Sequence, residues 1–306
     1  MVGNIFNIRL KKRNESEKSM CQSLASVNGT REMTNKEFEK MRALIYDLSG
    51  IYFTETKKYL LESRISKRIS ANNLNSFTDY IDLLKSNPNR VELDSLFNAI
   101  TINETYFFRV PQQFDALENV ILPEIANLKL KTNNPTIRIW STATSTGEEA
   151  YTIAIIVLEK LRPIYPQIKF EIIGTDINSS VLEIARKGIY KEYDIRNVPE
   201  SLLQKYFIKS NLNYQLIDEV KQMVSFRQLN LYDSNALYSL APCDVVFCAN
   251  VLIYFDIPSK QKVVSDLYNL MTKGAYLFIG YSESLHGISK VFKLVHLPKA
   301  MAYQKD

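Results

Sequence analysis

Trp140-Ser141-Thr142-Ala143-Thr144-Ser145-Thr146-Gly147-Glu148-Glu149 is the stretch on which the fold turns. The apolar run Ile137–Trp140 leading into it has the length and bulk of a strand. Small side chains follow, and then the helical pattern Glu148–Leu161. Such a strand-loop-helix junction lets a ligand approach the backbone closely beside free helix N–H groups. Only Gly147 is a glycine, so this is not the G-x-G-x-x-G dinucleotide fingerprint. Glu148 and Glu149 at the helix start would repel a phosphate. They suit ribose hydroxyls or a cation, or they simply complement the helix dipole.

On the C-terminal side the same rhythm continues. Short apolar runs (Phe170–Gly174, Asp244–Cys248, Ala275–Gly280) alternate with helical segments (Ser180–Lys187, Ser259–Met271). This alternation predicts a parallel sheet covered by helices on both faces. Phe292–Val295 and Met301–Tyr303, separated by Pro298, suit an antiparallel pair at the sheet edge. Residues 190–230 are too long for a simple connection. With period-2 alternation at Tyr214–Ile217 and Val224–Gln228, they are expected to form a small antiparallel insertion, at about 190–228.

On the N-terminal side, Thr34-Asn35-Lys36-Glu37 is a capping box, in which hydroxyl and carboxylate satisfy free helix N–H groups. Phe38, Met41, Leu44, Ile45 and Leu48 recur at helical spacing up to Gly50. Three further helices carry Leu61, Ile65 and Ile69, then Phe77, Tyr80, Ile81 and Leu84, then Leu93, Leu96, Phe97 and Ile100. The expected organisation is a disordered segment 1–33, a helical domain 34–102, a linker and helix 103–134, and a sheet domain 135–306.

Composition narrows the chemistry. Of 306 residues 23% are charged and 46% apolar, with a net charge of +5, which is ordinary for a globular protein. Cys21, Cys243 and Cys248 make neither a metal spacing nor a disulfide framework, and His286 and His296 are the only histidines. No metal site and no Ser-His-Asp triad is expected. Neither a signal peptide nor a membrane span is evident, so a cytoplasmic protein without membrane insertion is expected.

Three further words carry chemistry. Asp176, ending Ile172-Ile173-Gly174-Thr175-Asp176, stands where an acid at the carboxyl end of the second strand takes ribose hydroxyls, which implies NAD or S-adenosylmethionine. Asn178 or Ser179 fits the following helix N-cap better. In Cys248-Ala249-Asn250-Val251-Leu252-Ile253-Tyr254-Phe255, Asn250 and Tyr254 lie just beyond a strand end, although Val251–Phe255 could equally be core. Asn103-Glu104-Thr105-Tyr106-Phe107-Phe108-Arg109, between the two domains, has the make-up of a polar clamp on a pocket.

Taken together, these words and Ser282-Glu283-Ser284-Leu285 resemble the CheR-type chemotaxis receptor methyltransferases over nearly all of residues 34–306. The resemblance implies a class I S-adenosylmethionine-dependent methyltransferase fold, α/β with a Rossmann-like sheet, an N-terminal all-helical domain and a small inserted antiparallel β-subdomain. It implies that Asn103, Thr105 and Arg109 contact S-adenosylmethionine from the linker, Glu149 with Glu148 from the first loop, and Asp176 at the ribose. Asn230 and Leu231 correspond to the adenine side, Cys248, Ala249 and Asn250 to the wall after the fourth strand, and Tyr254 to the tyrosine near the transferred methyl. With Arg109, Tyr254 is expected to act by positioning. The chain departs from the pattern at Ala249, usually arginine, at Ala150, usually proline, and at Tyr281, usually histidine.

The implied activity is methyl transfer to glutamate side chains on the cytoplasmic methylation helices of chemotaxis receptors. Lys57, Arg64 and Arg68 fall within about 40° on a helix. With Lys67 they make either a solvated face or, as the resemblance implies, the surface that meets an acidic receptor coiled coil. Some family members tether to a receptor pentapeptide through a glycine-bearing loop; Lys209-Ser210-Asn211-Leu212-Asn213 has no glycine, and no tether is expected. A nucleic-acid methyltransferase is disfavoured, because Asn250-Val251-Leu252-Ile253 lacks the Pro-Pro turn of amino methylation, and no nucleic-acid partner is expected. A non-catalytic S-adenosylmethionine-binding adaptor is the other alternative, motivated by Ala249.

Overall fold

The computed structural model describes residues 32–86, 90–133 and 135–306. The disorder expected of residues 1–31 lies outside the described residues. Met33, placed in that segment by its polar neighbours, is instead buried in the helical core, and its N–H donates to Glu62.

Four helices form the N-terminal head: α1 (Asn35–Ser49), α2 (Lys58–Ala71), α3 (Phe77–Ser86) and α4 (Arg90–Ile100). Both halves of the capping box at Thr34 and Glu37 are made, and Gly50 closes α1 at φ +70. The helical spacing puts Phe38, Met41, Ile45, Leu61, Ile65, Tyr80 and Leu96 into one core. Within it Arg68 grips Glu92 through two bonds, 3.0 and 2.6 Å, and the Tyr80 hydroxyl donates to the same carboxylate.

The linker continues through α5 (Pro111–Ala116) and α6 (Leu122–Lys129) into the sheet domain. Its strands are β1 (Thr136–Ser141), β2 (Lys169–Asp176), β3 (Ile189–Lys191), β4 (Phe207–Ser210), β5 (Asn213–Leu216), β6 (Val224–Gln228), β7 (Cys243–Cys248), β8 (Met271–Ile279), β9 (Phe292–Leu297) and β10 (Ala300–Lys305). The main sheet has the order β6-β2-β1-β7-β8-β10-β9. Its first five strands are parallel, and β10 and β9 run antiparallel at the far edge, as expected of the tail. Helices α7 (Glu148–Ile156), α8 (Ser179–Lys187) and, after β7, Ile257–Asn269 cover its faces. The strand order reverses between β1 and β7, so a crevice opens outside their carboxyl ends.

The insertion is smaller than the alternation suggested. β3, β5 and β4 make the antiparallel subdomain, whereas Val224–Gln228 joins the main sheet as the parallel edge strand beside β2. An edge strand with one wet face alternates just as an antiparallel one does, so periodicity could not separate the two.

The head is pinned over the crevice. Ile51 bridges Phe255, the Tyr52 N–H donates to the Tyr254 carbonyl at 2.9 Å, and the Asn230 amide reaches the Leu48 carbonyl at 2.7 Å. Asn178, the N-cap of α8, donates to Thr101 and Asn103 of the linker.

Candidate active site

A deep cleft lies between head, linker and the carboxyl ends of β1, β2 and β7. Asn103, Thr105, Arg109, Glu149, Asp176, Asn230, Leu231, Ala249, Asn250 and Tyr254 all line it, together with Lys57. Residues from six separated stretches thus meet in one cavity.

The first loop forms its floor. Ser145 and Gly147 both have positive φ, +52 and +96. A Cβ on Gly147 would stand 2.9 Å from the Ala185 Cβ, so this turn needs glycine for space as well as conformation. The bend directs the Ser145 N–H to Asp176 at 2.9 Å, and the Asn178 N–H takes the other carboxylate oxygen at 2.9 Å. Asp176 is only 5% exposed, and burial pushes its carboxyl up to about 6. These donors leave the carboxylate with unused lone pairs, and Asp176 lines the cleft. Glu149 accepts from the Ser141 hydroxyl at 2.7 Å. Its remaining exposure is into the cleft, and desolvation raises it to about 7 against the pull of Ser141 and Arg109.

Glu148 faces the other way. Consecutive helical residues point about 100° apart, and only Glu149 reaches the cleft. Glu148 is buried on Thr146, whose hydroxyl it accepts, with its carboxyl raised to about 7 by burial. There it is tied to the loop and not to the cleft. Cys248 likewise lies in the core behind the wall, its thiol raised by burial. The Asn230 amide is spent on Leu48 and Tyr232, so its side chain braces the head. Beside it, Ile177, Leu229 and Leu231 give the cleft an apolar side.

At the mouth, the Arg109 guanidinium donates to the Glu104 carbonyl at 2.7 Å and sits 5.7 Å from the Tyr106 ring. Arg196 packs between Tyr106 and Tyr193, 3.4 and 3.7 Å from their ring centres, and so fastens the β-subdomain to the linker. Tyr254 is half-buried, its hydroxyl 3.5 Å from the Ile102 carbonyl and its pKa raised by desolvation. Among the described residues no cluster could hold a metal ion.

Of the basic stripe, Lys57 ends a short 3-10 turn just before α2 and faces the cleft, and Lys67 is exposed. The other two are engaged inside the fold. Arg64 caps the carbonyls of Ile100 and Thr101, and Arg68 is held by Glu92. The solvent-facing stripe of a helical wheel therefore shrinks to Lys67, with Lys57 turned toward the cavity.

Sequence reading assigned no role to Glu283. Its carboxylate collects the N–H groups of Asn250, Gly280 and Ile253 at 2.9, 2.6 and 3.1 Å. An acid four residues past the end of β8 was the available signal.

Comparison with known proteins matches the chain to a family. The SAM binding domain of the CheR methyltransferases matches residues 103–301, and their all-alpha domain matches residues 36–101. The chain belongs to the CheR methyltransferase family. Chemotaxis protein methyltransferase 2 of Vibrio cholerae is 37% identical over 274 residues, 89% of this chain and 94% of that one. The chemotaxis protein methyltransferase of Borreliella burgdorferi is 38% identical over 256 residues, 83% of this chain and 90% of that one. As a CheR-family member the chain is an S-adenosylmethionine-dependent methyltransferase with the class I fold. No helix among its described residues is long and apolar enough to cross a membrane.

The donor set of the CheR cleft fits S-adenosylmethionine. Asp176 and Glu149 are desolvated carboxylates with spare acceptors, and both line a cavity with an apolar side. Hydroxyl and ammonium donors would relieve them, whereas a phosphate would be repelled.

Proposed function

We propose that this chain transfers the methyl of S-adenosylmethionine to glutamate side chains of chemotaxis receptors in the cytoplasm, giving glutamyl methyl esters. The reading rests on the relatives' names together with one observation, a cleft whose mouth carries a tyrosine and an arginine, with no histidine among its described lining residues to serve as a general base. A glutamate needs none. With a reference pKa of about 4.3 it arrives ionised.

S-adenosylmethionine supplies a methyl already activated by its sulfonium. The chain has to bind, orient and exclude water. In this reading Asp176 takes the ribose hydroxyls, and Glu149 takes the ammonium end, where Arg109 limits the accumulated negative charge. Ile177, Leu229 and Leu231 pack the adenine. Thr105 and Asn103 close the linker side, and Ala249 and Asn250 form the opposite wall. Arg109 and Tyr254 hold the incoming carboxylate in line, and Lys57 adds positive charge on its approach. Alignment of this kind can lower a barrier by roughly 7–11 kcal/mol. Lys67, the exposed survivor of the basic stripe, meets the acidic receptor helix. No pentapeptide tether is assigned, since the β4–β5 turn is short and carries Asn211 rather than glycine at φ +53.

Incubation with methyl-labelled S-adenosylmethionine and receptor cytoplasmic domains tests the reading, with base-labile methyl esters as the expected product. Binding of S-adenosylhomocysteine without ester formation on any receptor domain would favour a non-catalytic adaptor instead. Tyr254→Phe should lower kcat at least tenfold while S-adenosylhomocysteine affinity changes less than threefold. Equal turnover would remove Tyr254 from the role.

A further inference from the structure

Asn250 and Tyr254 sit on a segment that does not hold itself. Asn250 adopts φ +59, a left-handed conformation that asparagine tolerates better than most residues and that the bonds around it select here. Tyr254 ends a single 3-10 turn, Leu252–Tyr254, too short to be self-supporting. Tyr52 secures the far side by holding the Tyr254 carbonyl. On the near side everything converges on Glu283.

We infer that Glu283 is a positioning residue for methyl transfer, a carboxylate whose three backbone bonds set where Asn250 and Tyr254 stand. Oε2 accepts from Asn250 and Gly280, and Oε1 from Ile253, so one side chain ties the segment after β7 to the end of β8. Glu283 does not line the cleft and acts only through the residues it holds. Its own N–H donates to the Gly280 carbonyl at 2.8 Å, which fixes it in a tight turn. Gly280 must lack a side chain here, since a Cβ would stand 2.6 Å from Glu283 Oε2 and 2.9 Å from the Asn250 nitrogen. The charge state matters as well as the shape. A carboxylate presents acceptors on both oxygens, whereas the isosteric amide would turn an NH2 toward at least one of the same N–H donors. This role rests on the placement of Tyr254 and Asn250 in the transfer site proposed above.

Glu283→Gln and Glu283→Asp, the second keeping the charge one methylene short, test the clamp by two independent readouts. Hydrogen exchange of the peptide spanning residues 249–255 should quicken at least tenfold in Glu283→Gln and by an intermediate factor in Glu283→Asp. With a receptor domain as substrate, kcat should fall 10- to 100-fold in Glu283→Gln, with receptor KM within threefold and the melting temperature within about 3 °C. Unchanged exchange, or unchanged kcat, would overturn the inference. So would a loss of kcat that merely follows a collapse in melting temperature in both variants. Wild-type transfer, measured alongside, tests the receptor reading separately; its absence would defeat that reading and leave exchange to decide the clamp.

Discussion

Asp176→Asn should trade cofactor affinity for little or no loss of stability. In the free protein burial holds the Asp176 carboxyl at about 6, against an ordinary 3.8. The folded state therefore keeps a proton that the unfolded chain gives up. Stability falls as pH rises through that window, and above it the penalty is complete, roughly 3 kcal/mol at 1.36 kcal/mol per pH unit. Asparagine removes this penalty. It also turns an NH2 toward one of the two N–H donors, Ser145 or Asn178, and an unsatisfied buried donor costs about 1–3 kcal/mol. The two effects nearly cancel, so the melting temperature of the free protein at pH 8 should stay within about 5 °C of wild type. Binding has no such compensation. Two hydroxyl bonds to a charged acceptor, each contributing about 1.5–3 kcal/mol, become at best one bond to a neutral oxygen. A net loss of about 3 kcal/mol weakens S-adenosylhomocysteine roughly 100-fold in calorimetric titration. Affinity within threefold of wild type would show that Asp176 does not meet the ribose. A melting temperature lower by more than 10 °C would show that its charge is needed by the fold.

The same burial makes binding pH-dependent. Ligand donors favour ionised Asp176 and Glu149, raised to about 6 and about 7, so affinity should be full near pH 8 and fall at least tenfold by pH 6; a flat profile would contradict the assignment of both carboxylates. Glu92→Ala strands the Arg68 guanidinium and the Tyr80 hydroxyl and should cost about 3 kcal/mol in urea unfolding. Lys67→Ala should leave unfolding unchanged but weaken receptor binding several-fold at low salt, an effect that fades above about 0.3 M as exposed charges are screened. A receptor C-terminal pentapeptide should show no binding in calorimetry below about 100 μM, and low-micromolar affinity would overturn the absence of a tether.

What could be read from the sequence was local. The Thr34–Glu37 box, the Gly50 stop and the Asn178 cap are each written within a few residues, and the structure makes all three. The four inner parallel strands, β1, β2, β7 and β8, were legible because burial on both faces leaves long apolar runs such as Cys243–Cys248. What stayed hidden depends on partners far along the chain. Arg68 looked free because Glu92 lies 24 residues away. Glu148 and Glu149 looked equivalent because the path of the first loop decides which of them faces inward. Glu283 showed nothing of its grip on Asn250, 33 residues earlier.

The pairing of Ile51 with Phe255, and of Tyr52 with Tyr254, ties the head to the segment that carries Tyr254 by main-chain contacts. On the function proposed above, receptor choice and turnover are therefore not separable modules. Grafting a head from a relative to redirect it to another receptor would also reset Tyr254, and on that reading the graft would carry over activity only if the short β-bridge came with it.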